Sequence, residues 1–153
     1  MAMGRMYMVT IAAQAQTAAK TLIELTASSA IVVAIDRMYV TQSTQDTSEN
    51  LSCKVQRITT TGTGTAFTPR KTSNGDGAAV ATVKTNMSVE PTYTASTDLV
   101  NQGFNTLSGF LWTPASDDEI ISIPPSGLLG IMLNTAPVGS ISFDYGCTFR
   151  EIG

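Results

Sequence analysis

The chain has 153 residues, a formal net charge of −3 and charged side chains at only 14% of its positions. This length fits one domain with an enclosed core and is short for two. A weak negative charge predicts no binding to nucleic acid or to an anionic membrane, because neither polyanion attracts such a protein. No window holds eighteen uninterrupted apolar residues, so we also expect no membrane-spanning segment.

The first residues alternate between apolar and polar side chains, with Tyr7, Val9 and Ile11 in one phase. Such alternation is typical of a strand, whereas the core of a secretory signal is a continuous apolar block. We therefore predict an N-terminal strand or arm over residues 1–13, available for contacts between subunits, and a single sandwich domain over residues 14–153. The alanine-rich residues 12–19 are compatible with a helical turn or with a β connection.

Further strands are predicted wherever apolar and β-branched residues alternate or cluster between turn signals. The strictest alternation is near the C-terminus, where Ile141, Phe143 and Tyr145 begin the buried phase. The strands predicted in this way are residues 22–25, 30–41, 51–59, 78–85, 104–113, 119–123, 128–133 and 140–150. The segment 104–113 is predicted as a core strand or as a strand with a bulge at Gly109.

The connections are unequal in length. Residues 42–50 predict a polar loop, and residues 87–102 an irregular, hydroxyl-rich excursion. Residues 60–77 contain four glycines and predict either a long ordered loop or a pair of short edge strands. Eight to ten short antiparallel strands with hardly any helical pattern indicate an all-β protein, built as two packed sheets or one closed sheet. The long loops favour a jelly-roll-like β-sandwich over a simple meander.

Catalytic and cofactor signatures are sparse. The chain contains no histidine, which removes the usual general base and the imidazole ligands of most catalytic metal sites, so we expect neither an enzyme nor a cofactor. Asp117, Asp118 and Glu119 are compatible with a Ca²⁺ site or acid/base work, but a charge run of this kind more often marks a solvated turn. Cys53 and Cys147 fall on apolar strand phases and are predicted to be buried free thiols.

Several turns and strand ends together resemble the small structural proteins of tailed bacteriophages, most of all their capsid decoration (cement) proteins. The residues that carry the resemblance are Ala12-Ala13-Gln14, Lys20-Thr21-Leu22-Ile23, residues 37–43, Thr63-Gly64-Thr65, Thr68-Pro69, Asn74-Gly75-Asp76, Gly103-Phe104-Asn105, Leu111-Trp112-Thr113-Pro114 and Pro124-Pro125-Ser126-Gly127. The resemblance implies a jelly-roll-like protein on the outer surface of a virion capsid, made in the host cytoplasm. Its implied partners are the major capsid protein and further copies of itself in a homotrimer.

For this function we expect the contacts to lie in residues 1–13 and 60–77. The candidate contact residues are Met3, Arg5, Met6, Met8, Thr65, Phe67, Arg70 and Lys71. The alternative is a carbohydrate-binding or host-recognition module of a phage tail or fibre. That function needs exposed aromatic rings, for which Tyr39, Tyr93 and Trp112 are the candidates.

Overall fold

The computed structural model describes residues 4–44 and 47–153, and these residues are mostly β-strand. Twelve strands and one short 3-10 helix lie within these two ranges. The strands are β1 (Arg5–Gln16), β2 (Lys20–Thr26), β3 (Val32–Gln42), β4 (Asn50–Thr60), β5 (Thr63–Phe67), β6 (Arg70–Lys71), β7 (Thr82–Val89), β8 (Thr92–Asn105), β9 (Phe110–Trp112), β10 (Ile121–Ile123), β11 (Leu128–Leu133) and β12 (Ile141–Ile152). The 3-10 helix, Asp117–Glu119, precedes β10.

The strands form two six-stranded antiparallel sheets. Sheet A has the order β10-β3-β12-β1-β6, and β9 pairs with β3 beside β10. Sheet B has the order β5-β7-β2-β11-β4-β8. One buried hydrophobic cluster contains residues of both sheets, including Phe149 of sheet A and Ile131 of sheet B. The two sheets therefore pack face to face as a β-sandwich, and the predicted all-β sandwich is confirmed.

The pairing of the strands explains the jelly-roll character. β1 pairs with β12, β2 with β11, β3 with β10 and β4 with β8, so the first part of the chain pairs in reverse order with the last part. These eight strands form the four-stranded orders β10-β3-β12-β1 and β2-β11-β4-β8. This arrangement is a double-sheet jelly roll. The strands β5, β6 and β7 are an insertion between β4 and β8.

The insertion covers one lateral side of the sandwich. β6 pairs with β1 at the edge of sheet A, and β7 pairs with β2 and carries β5 at the edge of sheet B. Of the two alternatives for residues 60–77, the pair of short edge strands is confirmed. Covering the long strands β1 and β2 reduces the exposed backbone that would otherwise offer itself for aggregation.

Two predictions in the middle of the chain were wrong. Residues 87–102 are not irregular, because most of them belong to β8, the longest strand. The predicted strand 104–113 is divided: β8 ends at Asn105, a turn follows, and β9 begins at Phe110. Gly109 has a φ of 76° and ends this turn rather than forming a bulge in a continuous strand. The strands also number more than the eight to ten expected, and five of them have eleven or more residues.

The N-terminal strand belongs to the body of sheet A. β1 pairs with β12 from Arg5 to Gln16, with a bulge between Ile11 and Gln14. At the bulge, Ala13 has a φ of 51° and its amide donates to Asp144 Oδ1 at 2.7 Å. A contact role between subunits for residues 1–13 stays a prediction.

No described helix is both long enough and apolar enough to span a membrane.

Candidate interaction surfaces

The predicted contact residues of sheet A lie together on the side that carries the insertion. In the pairing of β6 with β1, Arg70 lies opposite Met8 and Lys71 lies opposite Tyr7. Arg5 and Met6 precede them on β1. Arg5, Met6, Met8, Arg70 and Lys71 are named the basic edge. The structure brings these five residues together, although β1 and β6 are more than fifty positions apart in the sequence.

The two arginines of the basic edge are available for a partner. The ion pairs in residues 4–44 and 47–153 are Lys54–Asp98, Lys84–Glu24 and Arg150–Asp36, so they include neither Arg5 nor Arg70. Both of these arginines are exposed, and Met8 is 38% exposed beside them. An exposed methionine next to unpaired guanidinium groups suits a protein interface, because Met and Arg are enriched in such surfaces.

Backbone contacts hold the basic edge in place. Lys71 donates from Nζ to the carbonyl oxygens of Asn74 at 3.3 Å and Asp76 at 2.9 Å, within its own turn. The amide of Thr72 donates to the carbonyl oxygen of Met6 at 3.1 Å. Lys71 is therefore partly engaged by the turn, and Arg70 is the more available cation of β6.

The other candidate residues occupy different positions. Thr65 and Phe67 belong to β5, at the edge of sheet B on the same lateral side. Thr65 is exposed, but Phe67 is half-buried and packs against the core cluster, so it helps to close the side of the sandwich. Met3 lies outside the described residues.

A buried carboxylate fixes the start of the insertion. Glu24 lies on β2, and its side chain has no exposed surface. Its Oε2 accepts the amide of Gly62 at 2.9 Å, and its Oε1 accepts the hydroxyl of Thr61. Lys84 Nζ lies 3.6 Å from Oε1 and donates to the Gly62 carbonyl at 2.9 Å. A carboxylate at this depth is tolerated because charge-assisted hydrogen bonds satisfy it. The sequence analysis missed Glu24.

A second polar cluster covers the outer face of sheet B. Thr21 is buried, its amide and hydroxyl both donate to Glu90 Oε2, and its Oγ1 lies 2.6 Å from the hydroxyl of Tyr93. The Tyr93 ring lies over Gly130, where an added Cβ would come within 2.6 Å of Cε1 of the ring. Burial raises the pKa of Tyr93, so its hydroxyl remains protonated and able to donate.

The opposite lateral side is acidic and apolar, and no candidate contact residue was predicted there. Leu111 on β9 is 57% exposed and Leu99 on β8 is 43% exposed. A groove of about 410 Å³ between the sheets is lined by Arg57, Leu99, Trp112, Glu119, Ile120, Ile121 and Ser122. Asp117, Asp118 and Glu119 form the exposed 3-10 helix beside it. We name Leu99, Leu111, Trp112 and residues 117–120 the acidic edge.

Polar groups in and beside the acidic edge already contact other parts of the chain. Arg57 of sheet B donates from Nη1 to the carbonyl oxygen of Ser122 in sheet A at 2.7 Å, which links the two sheets across the groove. Glu119 Oε2 accepts the amide of Ala115 at 3.3 Å. Asp117 contributes to raising the pKa of Arg150, whose main cause is its bidentate hydrogen bond with Asp36. In the described ranges no group of three or more acidic or cysteine side chains is arranged to hold a metal ion.

The three aromatic candidates for a sugar-stacking platform do not meet. Tyr93 pairs with Ile58 in sheet B, whereas Tyr39 and Trp112 belong to sheet A. Within sheet A, Trp112 lies opposite the buried Met38 and packs against the core, and Tyr39 is the next residue, so it points to the other face. Trp112 alone remains as an aromatic ring in a groove.

The two cysteines are free and buried, as predicted. Cys53 lies in sheet B and Cys147 in sheet A. Burial raises the pKa of each thiol to about 12, so neither is a nucleophile near neutral pH.

Comparisons of the chain with protein-family models, with curated proteins and with solved structures found no match.

Proposed function

We propose that the chain is a virion structural protein, a capsid decoration or cement protein that binds the outside of an assembled phage head and stabilises the lattice of its major capsid protein. The observation that carries the proposal is the basic edge, where Arg5, Met8, Arg70 and Lys71 are exposed on the paired strands β1 and β6 and Met6 is half-buried between Arg5 and Tyr7. Both segments that the sequence predicts as contacts, residues 1–13 and 60–77, contribute to this edge. A jelly roll with such an edge suits a protein that acts by covering another surface.

The mechanism of stabilisation is mass action. A protein that binds the assembled lattice and not its separated subunits shifts the equilibrium toward the assembled shell. At a free concentration one hundred times its dissociation constant, each bound copy stabilises its site by about 2.7 kcal/mol. No catalytic step or cofactor is required, and nucleic acid and membranes are not partners in this proposal.

The test is to locate the protein on particles. Cryo-electron microscopy of virions from a phage that encodes the chain is expected to show density of 16.1 kDa per copy on the outer surface of the head. In a second measurement, capsids prepared without the protein are sedimented with the purified chain, which is expected to sediment with them. Density on the tail alone, or a chain that stays in the supernatant, would contradict the proposal.

Point variants test the role of the basic edge on the capsid. Because β1 is paired with β12 along its length, removal of residues 1–13 would disrupt sheet A, so Arg5→Glu is the better perturbation. We expect it to lower capsid occupancy, since it reverses a charge at the contact. Lys20→Glu makes the same change at the start of β2 in sheet B and is the matched control.

A second candidate function is the carbohydrate-binding or host-recognition module. Trp112 favours it, because its ring lines the groove together with Glu119 and Arg57, and sugars bind where a ring meets polar groups. Binding of the chain to a glycan array, lost in Trp112→Ala, would support this function. An array without any bound glycan would leave the decoration function as the better explanation.

A further inference from the structure

The basic edge and the acidic edge lie at the same level on opposite sides of sheet A. The register of the sheet shows this, because a single row of paired residues crosses the strands β6, β1, β12, β3 and β10. Lys71 on β6 pairs with Tyr7, Tyr7 with Phe149, Phe149 with Ile35, and Ile35 with Ile121 at the start of β10. The 3-10 helix Asp117–Glu119 ends two residues before Ile121. The cations and the carboxylates therefore stand at opposite ends of one row.

The two edges are complementary in charge and in apolar content. The basic edge carries three cations, and the acidic edge has three carboxylates next to Arg57, which is engaged by the Ser122 carbonyl. Asp118 has no ion pair in the described part of the chain. Each edge also exposes large apolar side chains, Met8 at 38% on one side and Leu111 at 57% on the other. Opposite charge fixes the orientation of an interface, and apolar contact supplies affinity.

We infer that the acidic edge of one copy of this chain binds the basic edge of a second copy. Because the two surfaces differ, the contact is head-to-tail, and repeating it generates a closed ring where the rotation between copies divides a full turn and an open filament where it does not. We place this contact in a closed ring. Both edges lie at the same height along the strands of sheet A. The strands of neighbouring copies therefore run in the same direction, and the copies are related by a rotation about an axis roughly parallel to the strands. The homotrimer expected from the resemblance is one such ring.

A second copy fits these surfaces better than an added strand from another protein. β6 has two residues and β10 has three, so neither edge strand offers a long backbone ladder for strand addition. Both edges expose side chains instead. The chain itself carries the surface of opposite charge that each edge would bind. In a closed ring Arg70 of each copy faces Asp118 of the next, so no exposed pair of complementary charges remains to drive open-ended assembly. The capsid contact then falls to Arg5, which lies before the residues of β1 that pair with β6.

This inference deepens the self-association part of the proposed function, and it is tested without capsids. Sedimentation velocity of the full chain at low ionic strength is expected to show an oligomer. Arg70→Glu and Asp118→Lys are each expected to lower the association constant at least about tenfold, because each places like charges across the contact. Higher salt should also weaken the oligomer, since the Debye length falls from about 10 Å at 0.1 M to about 3 Å at 1 M.

The double variant Arg70→Glu/Asp118→Lys gives the decisive result. Every contact then joins two altered edges whose signs are both reversed, so the double variant is expected to recover assembly in a ring of any number of copies. A two-fold contact in which each edge meets its own kind predicts no such recovery. The controls are Lys20→Glu and Ser140→Lys, which change the charge away from both edges. Circular dichroism of each variant verifies that it is folded.

Three outcomes would overturn the inference: a monomeric wild-type chain, single variants that assemble like the wild type, or a double variant that does not recover. If Arg70→Glu or Asp118→Lys fails to fold, Arg70→Gln and Asp118→Asn remove the charges without reversing them, and a smaller loss of association is expected. A monomeric chain that still binds capsids would refute the ring and leave the decoration function intact. A ring that does not bind capsids would do the opposite.

Discussion

Replacing Glu24 tests whether a buried charge positions the insertion that carries part of the basic edge. In Glu24→Ala, the amide of Gly62 and the hydroxyl of Thr61 lose their acceptor. Lys84, whose side chain is 33% exposed, loses its ionic partner but keeps bonds to Thr61 and to the Gly62 carbonyl. The perturbation therefore leaves one buried amide without a partner and removes a carboxylate from a site with no exposed surface.

The expected loss in the free energy of unfolding follows from these contacts. A hydrogen bond to a charged group contributes about 1.5–3 kcal/mol, and two are lost. Loss of the ion pair between Lys84 Nζ and Glu24 Oε1 adds little to this cost, because solvent screens the contact at 3.6 Å. We therefore expect Glu24→Ala to cost about 3–5 kcal/mol, in the range found when one partner of a buried pair is removed. Glu24→Gln keeps the shape and one acceptor oxygen, so its cost should be about 1–2 kcal/mol.

Urea unfolding followed by circular dichroism measures these differences, and amide hydrogen exchange localises them. Exchange at Gly62 should accelerate in Glu24→Ala more than exchange in β12. Glu49→Ala is the matched control, since Glu49 also accepts a backbone amide, that of Val138 at 3.0 Å, but in an exposed setting. Its cost should be below about 1 kcal/mol. Equal costs for the two alanine variants, or unchanged exchange at Gly62, would refute the argument.

Three further predictions concern buried groups and their controls. The hydroxyl of Tyr145 is buried without a partner in the described residues, so Tyr145→Phe is expected to raise the free energy of unfolding by about 1 kcal/mol in a urea titration. The hydroxyl of Tyr7 donates to the Gly77 carbonyl at 3.1 Å, so Tyr7→Phe should lower the free energy of unfolding by a similar amount in the same titration. Burial raises the pKa of Cys53 and of Cys147 from 9.0 to about 12, so the unfolded state loses these two protons at a lower pH than the folded state does. The thiols should leave the free energy of unfolding unchanged below pH 9 and lower it by about 1.4 kcal/mol per thiol per pH unit from there to about pH 12. Urea titrations between these pH values check this slope, which the double alanine variant should reduce by the contribution of the thiols. The slope that remains above pH 10 comes mainly from Tyr93 and Tyr145, because burial also raises the pKa of each of these groups. Gly130→Ala, which forces Tyr93 aside, should cost about 1–3 kcal/mol, whereas Gly139→Ala, with open space around it, should be neutral within about 0.5 kcal/mol.

Inner strands with one buried face were the part of the fold that the sequence predicted best. The prediction for residues 128–133 coincides with β11, and that for 140–150 differs from β12 by one residue at the start and two at the end. In β12, Ile141, Phe143 and Tyr145 all face the core, so the alternation in sequence is the alternation in burial. Period-2 patterns are strongest where a strand has one wet and one dry face.

The edge strand β8 shows why the pattern failed elsewhere. Only Phe104 of its fourteen residues is buried, and its register with β4 shifts repeatedly between Tyr93 and Val100. An edge strand with two wet faces has no apolar phase, and bulges change the phase of the little alternation that remains. The same reasoning applies to the acidic edge, because exposed Leu99 and Leu111 were assigned to an irregular segment and to a core strand.

Glu24 could not be predicted as a buried anchor, because β2 is covered on both faces. Leu22, Ile23 and Leu25 are all buried around it, and its partners Thr61 and Gly62 come from the insertion nearly forty positions later. A charged residue within an apolar strand gives a signal, but the identity of its partner depends on topology. Only the fold shows that the loop after β4 crosses the outer face of sheet B.

The insertion also explains why the two sides of the sandwich differ. In an eight-stranded jelly roll, β1 and β2 would both be long exposed edges; here β6 and the pair β7 and β5 lie beside them. Arg70 and Lys71 therefore reach the basic edge on a segment that the framework of eight strands does not contain. The opposite side receives no such cover, and its groove stays open with Leu99 and Trp112 at its walls. An asymmetric pair of sides is the property that a head-to-tail contact requires, since a surface that binds its own kind closes as a dimer.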